Sequence, residues 1–210
     1  MRGPRTTLSV RQRIETITGE RSAWRFRPHY HAGDEVVRIT AGRARLRLPQ
    51  TSSDVQAGDT VIVPAGTIHR FEPVDPEGWA FTSDFIIQET PDPKPVTRGD
   101  ERLVARAIEL LTRREGLRSD PESLAKALHV SGGHLARTFQ RVTGTGLHNF
   151  HVLMVLQKAK VLLRDGAPLA AAAFDTGFYD QAHLTREFVR TYGFTPRAFK
   201  LAWSYPSKTA

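Results

Sequence analysis

The stretch SGGHLARTFQRVTGTGLHNF (131–150) is written a second time, 49 residues later, as DQAHLTREFVRTYGFTPRAF (180–199). Leu135, Arg137, Phe139, Gly144 and Phe150 recur in register as Leu184, Arg186, Phe188, Gly193 and Phe199, with Ser131 matched by Asp180. So many fixed intervals mark one supersecondary unit used twice. Each copy predicts a helix with its own start and stop. Ser131 and Asp180 can accept the free amides of a first turn, and Gly144 and Gly193 suit a left-handed C-terminal cap. Leu135, Phe139 and Val142 in one copy, and Leu184 and Phe188 in the other, fall on one helical face that packs inward. The opposite faces carry donors: His134, Arg137, Gln140 and Arg141, then Gln181, His183, Arg186 and Arg190.

A short helix precedes each copy across a tight turn. Pro121 opens one, with Leu124, Ala125 and Leu128 as its apolar side and His129-Val130 as the turn. Pro168 opens the other over 169–175, and Gly177-Phe178 makes its turn. A small packing residue, a tight turn and a polar-faced second helix spell helix-turn-helix, here twice in register.

The segments LAKALHVSGGHLARTFQRVTG (124–144) and TGFYDQAHLTREFVRTYGFTPRAF (176–199) resemble the paired helix-turn-helix domain of AraC-type bacterial transcription regulators. The resemblance covers about residues 100–203. It implies a seven-helix domain in which 150–163 is the long connecting helix, and two recognition helices that enter successive major grooves, ~34 Å apart. It differs at Val155, where relatives often place Arg, and at Gly132 and Gly133, where they place larger side chains.

Working outward, 101–114 reads as an opening helix with Leu103, Ala107, Leu110 and Leu111 on one face. The last helix runs from about Pro196 to Trp203, and a tail follows from Tyr205. The segment 89–100, with Pro91, Pro93 and Pro95, reads as an extended linker. Ahead of it, 13–18, 23–27, 36–48, 60–63, 69–72 and 80–87 read as strands. In 36–48 a turn at Ala41-Gly42 leads into an alternation with Arg43, Arg45 and Arg47 on one side and Ala44, Leu46 and Leu48 on the other. Short strands between Gly and Pro predict an antiparallel barrel or jelly roll. The chain thus divides into a β domain (1–88), the linker (89–100) and an all-α domain (101–210).

Charge follows that division. Residues 1–90 hold 12 Lys/Arg against 11 Asp/Glu, and residues 91–210 hold 18 against 11, so nearly all of the net +8 lies with the repeats. That asymmetry suits a half that meets phosphate, against the alternative of a solvated basic surface that binds nothing; with the paired helix-turn-helix pattern it favours nucleic acid, and the resemblance implies double-stranded DNA as the partner. No apolar run approaches the ~20 residues of a membrane span, and no apolar block follows Arg2 and Arg5 as a secretory signal would require. The absence of cysteine excludes disulfides and thiolate metal sites and is compatible with the cytoplasm.

Within the β half, His29-x-His31-x3-Glu35-x6-Gly42 is followed by Gly58-x5-Pro64-x-Gly66-x2-His69. His29 and His31, two apart on an extended segment, point to one side, and paired strands could bring Glu35 and His69 to them. Three imidazoles and a carboxylate suit one divalent ion such as Zn, Mn, Fe or Ni. The spacing resembles both cupin motifs, and a cupin-like barrel is what AraC-type regulators often carry in front. The second motif closes with Pro73 where cupins usually place Asn.

Three readings of the histidines stand at this point: a bound metal, a metal-free pocket for a small organic effector, or a purely structural barrel. A DNA-binding regulator with a sensory barrel, an activator by family habit, is the leading function. The rival is a metal-dependent cupin enzyme with a nucleic-acid tether, although no separate nucleophile or base names a reaction. RNA polymerase and a second copy of the chain are further candidate partners, the latter through a barrel edge or an arm at 1–20.

Overall fold

In the computed structural model of the chain, residues 5–12, 14–20, 27–86, 99–113 and 121–204 are described. Seven strands come first: β1 (Arg5–Arg11), β2 (Ile14–Glu20), β3 (Asp34–Arg47), β4 (Ser52–Gln56), β5 (Thr60–Val63), β6 (Arg70–Pro73) and β7 (Trp79–Ile86). Seven helices follow: α1 (Gly99–Thr112), α2 (Pro121–Ala127), α3 (Gly132–Thr143), α4 (Leu147–Arg164), α5 (Leu169–Asp175), α6 (Gln181–Tyr192) and α7 (Pro196–Ser204).

All strand pairs are antiparallel, along the path β1-β2-β7-β3-β4, with β5 and β6 also on β3. The expected turn at Ala41-Gly42 does not reverse the chain. β3 runs through it with a register irregularity between Ile39 and Ala41, pairing with β5 before the bend and with β4 and β6 after it. Gly42 sits there at φ +70, and a Cβ would lie 2.4 Å from the Gly78 carbonyl oxygen, so only glycine fits where β3 and β7 approach.

Beyond the bend the predicted alternation holds. Ala44 and Leu46 are buried, while Arg43, Arg45 and Arg47 pair outward with Asp75, Asp54 and Glu72, each at 2.6 Å. The barrel therefore neutralises its own basic stripe. The supposed N-terminal arm is in part the β1–β2 hairpin, which extends the sheet from β7 and touches α7. Strands β1 and β4 were not expected. All of the strand expected at 23–27 except Arg27, and most of the linker at 89–100, fall outside the described residues, and α1 already begins at Gly99.

The helix boundaries follow the caps. Ser131 Oγ accepts the His134 amide and Asp180 Oδ1 accepts the His183 amide. Gly144 (φ 75) and Gly193 (φ 82) end α3 and α6 in left-handed caps. In α1 the buried stripe is Val104, Ala107 and Leu111. Leu103 and Leu110 lie at its margins, so the face is turned by about one residue from the one expected.

The core does not divide where the sequence does. Val104, Ala107, Leu111, Leu124, Leu135 and Phe139 enclose a separate cluster around α1–α3. The second helix-turn-helix instead shares one core with the barrel: Val152, Val155, Leu156, Phe188 and Tyr192 join Ile17, Trp79, Phe81 and Phe85. Val155, the apolar departure from the family pattern, is buried in that shared core.

Candidate metal centre and nucleic-acid interface

His29 and His69 meet at an isolated antiparallel bridge, each amide donating to the other's carbonyl at 2.9 Å. This bridge brings together two histidines 40 positions apart. His31, two residues on, falls on the same side, and Glu35 projects inward from the start of β3. One ligand atom from each histidine lies within 4.8 Å of the others. Glu35 Oε2 is 2.8 Å from His69 Nε2 and 3.7 Å from His31 Nε2. All four side chains predicted to converge do so, and all are buried.

The imidazoles are oriented from behind. His29 Nδ1 lies 2.7 Å from the Arg27 carbonyl and His69 Nδ1 2.9 Å from that of Thr67. A carbonyl at this position holds a proton on Nδ1 and leaves Nε2 as the coordinating atom. Both His31 nitrogens are buried without a hydrogen-bond partner. Burial, reinforced by His69, lowers the His29 pKa to about 4. Burial, then His29 and His69, holds His31 well below the usual histidine range. Burial alone would raise Glu35 and lower His69, but their mutual attraction outweighs it, so Glu35 titrates low and His69 high. Two neutral imidazoles, an imidazole–carboxylate pair and orphaned nitrogens in one buried place form a donor set that fits a divalent cation.

The space that His29, His31 and Glu35 face is small, about 30 Å³. The barrel supplies Ile17, Phe71, Trp79 and Phe85 to its lining, and α6 supplies Thr191 and Tyr192. No motif in the sequence pointed to this last wall. Only the shared core, visible once the helices are docked, accounts for it. A larger cleft of about 380 Å³ lies between the barrel and the end of α3, lined by His69, Arg47, Arg70, Gln140, Gly144 and Thr145, so that His69 stands between the two spaces.

The two halves are joined by polar contacts as well. Lys160 Nζ lies 2.9 Å from Glu15 Oε2, and Trp203 Nε1 donates to Glu15 Oε1 at 3.1 Å. Gln157 donates to the Tyr30 carbonyl at 2.9 Å and to the Tyr192 hydroxyl at 3.1 Å. Arg27 pairs with Glu187 of α6.

Of the eight predicted donors on the recognition helices, His134, Arg137, Gln140, Gln181, Arg186 and Arg190 are exposed. Among the described residues, Arg137, Arg186 and Arg190 have no carboxylate partner. The other two of the eight make contacts within the protein. Arg141 is exposed but bound to Asp100 at 2.8 Å, because α1 packs beside α3. His183 is half-buried: its Nδ1 accepts the Tyr179 amide at 3.4 Å and its ring packs on Phe178 and Tyr179. The N-cap turn draws His183 back, and Tyr179, 83% exposed at the entrance to α6, stands out in its place. A Tyr ahead of an N-cap Asp gave no recognisable signal.

Comparison with known families matches residues 12–83 to the AraC-like ligand binding domain and residues 124–202 to a helix-turn-helix domain. Among solved structures, an AraC-type DNA-binding domain-containing transcriptional regulator from Chromobacterium violaceum is 20% identical. The likeness covers 52% of this chain and 98% of that one, with a TM-score of 0.48. The C-terminal domain of AraT, a response regulator from Geobacillus stearothermophilus, is 23% identical over 47% of this chain and 84% of that one, at TM-score 0.44. A cupin superfamily protein from Desulfitobacterium hafniense is 17% identical over 42% and 83%, at TM-score 0.36. No curated protein matches the chain. No helix among the described residues is long and apolar enough to cross a membrane.

Proposed function

The chain is an AraC-type transcription regulator, with a ligand-binding domain and a helix-turn-helix domain in that order, and on that premise we propose that a divalent cation held in its barrel modulates how it binds DNA. The observation that carries this reading is the buried convergence of His29, His31, His69 and Glu35 on one another, beside a space of about 30 Å³ that His29, His31 and Glu35 line. Room for one or two water molecules suits an ion, whereas organic ligands take ~300–1,000 Å³. Bound there, an ion would supply a fixed positive charge that replaces protons on the imidazoles. The space of about 30 Å³ beside His29, His31 and Glu35 leaves no room for a substrate there, and no separate nucleophile or base names a reaction. A small organic effector would find space in the cleft between the barrel and α3, whose Arg47 and Arg70 share the Glu72 carboxylate at 2.6 and 2.8 Å.

On the DNA side, α3 and α6 are the recognition helices, with Arg137, Arg186 and Arg190 as cations free to meet phosphate or base edges. Domain boundaries near 88 and 101, a cytoplasmic location, dimerisation through a sheet edge and contact with RNA polymerase belong to the same reading.

The test is metal content and duplex affinity of the full chain, beside His31→Ala and His69→Ala. The wild type is expected to hold about one equivalent of zinc, lost in both variants. Its affinity for a duplex selected from a randomised pool should change when zinc is added. One equivalent of zinc with no change in DNA affinity would remove the modulation. Sequence-blind binding with a shallow salt dependence would remove the regulator reading itself.

A further inference from the structure

We propose that the recognition helix α6 is itself a wall of the cation site, so that filling the site is felt at α6 directly through Thr191 and Tyr192. This rests on the cation reading above. It differs from a coupling carried by the linker or the N-terminal hairpin, because it needs neither.

Three observations converge. Thr191 is fully buried, lines the pocket, and its hydroxyl has no hydrogen-bond partner. A buried hydroxyl without a partner is unfavourable, and an occupant able to bond it would recover that cost. The Tyr192 ring lies 6.3 Å from the His31 ring and 6.4 Å from the His29 ring, with its hydroxyl held by Gln157 of α4. Finally, Glu187, one turn earlier, pairs with Arg27, whose carbonyl faces His29 Nδ1. The inward face of α6 thus reads the histidines while its outward face presents Gln181, Arg186 and Arg190.

The consequence is directional. A cation drawing the three histidines and Glu35 together sits in a space too small to leave α6 unaffected. By linkage, any preference of the cation for the docked position of α6 must reappear as a preference of docked α6 for the cation. Helix α3 has its own core, lines none of this pocket, and should respond less.

Hydrogen exchange of the full chain with zinc as the only added ligand, without DNA, tests this. Zinc is expected to slow exchange in the last two turns of α6 about fivefold or more, and in α3 by less. Thr191→Val should lose most of the α6 slowing, and Tyr192→Phe part of it, when each is compared at saturating zinc. His31→Ala should lose both zinc and the response. One equivalent of zinc with α6 exchange unchanged, or a response undiminished in both wall variants, overturns the inference and leaves the cation reading standing. Failure of the wild type to bind zinc overturns both.

Discussion

Lys160 Nζ lies 2.9 Å from Glu15 Oε2, fastening α4 to β2 between partners 145 residues apart in the chain. Glu15 is buried, and its other oxygen accepts Trp203 Nε1 at 3.1 Å. The ammonium also lies 5.2 Å from the Tyr192 ring centroid and 5.0 Å from that of Phe199. One cation therefore neutralises a barrel carboxylate and braces the aromatic wall of α6 and α7.

Breaking this contact from one side should be costly. Lys160→Met leaves the Glu15 charge buried with only an indole donor, and ~3–5 kcal/mol of stability is expected to be lost. Urea denaturation reads the loss. Adding Glu15→Gln should recover part of it, so the double variant is expected to fall by less than the sum of the singles. Simple additivity would mean that the two side chains do not interact energetically.

Acid should loosen the metal-free protein through its histidines. His29 has its pKa lowered to about 4, and His31 is also held low, by burial first. The unfolded chain takes up these protons near pH 6.5, and the folded one does not until much lower. Stability is therefore full above about 6.5 and lost as pH falls toward 4. His69, raised by Glu35, keeps its proton in the folded state while the unfolded chain is still taking it up near pH 6.5, so it opposes the loss at the top of the range and adds no slope well below it. Urea midpoints of chelated protein from pH 7 to pH 4 should fall. A flat profile would show that burial does not hold these imidazoles neutral.

How far the sequence carried can be judged from particular residues. The repeat located Ser131, Asp180, Gly144 and Gly193 as caps because capping is local, settled within a few residues of backbone. The histidine spacing anticipated the convergence of His29, His31, Glu35 and His69 because strand period and pairing are nearly local too. The roles of Thr191, Tyr192, Val155 and Glu15 were not legible. They depend on how two halves dock, and an apolar or hydroxylic residue on a helix gives the same local signal whether it faces its own domain or another. The partial burial of His183 was not legible either, because a half-buried histidine tied to the preceding turn occupies the same helical phase as an exposed donor.

The glycines at the start of α3 offer a test of that helix. A Cβ added at Gly132 would meet nothing within 4 Å, whereas at Gly133 it would come within 3.3 Å of Arg137 Nη1. Gly132→Ala is expected to stabilise the protein by ~0.5–1 kcal/mol, chiefly by restricting the unfolded chain. Gly133→Ala should gain less and displace the Arg137 guanidinium. Thermal unfolding reads the first effect, and duplex affinity at fixed salt the second. A destabilised Gly132→Ala would mean that the first turn of α3 is not helical in solution.

Sequence preference is expected to reside more in α6 than in α3. Arg186 and Arg137 occupy equivalent exposed positions without carboxylate partners among the described residues. Arg186 stands with Gln181 and the exposed Tyr179, whereas Arg137 follows Gly132, Gly133 and Ala136, which offer no donors beside it. An Arg on a guanine edge supplies ~1–3 kcal/mol of discrimination, while one on phosphate supplies affinity alone and steepens the salt dependence by about one unit. Arg186→Ala should therefore cost about 10-fold or more against the selected duplex and relax preference at one base pair. Arg137→Ala should weaken all duplexes alike and flatten the salt slope. Selection from a randomised pool, repeated with each variant and followed by titrations at several salt concentrations, separates these outcomes. Preference intact in Arg186→Ala but abolished in Arg137→Ala would reverse the assignment of the two helices.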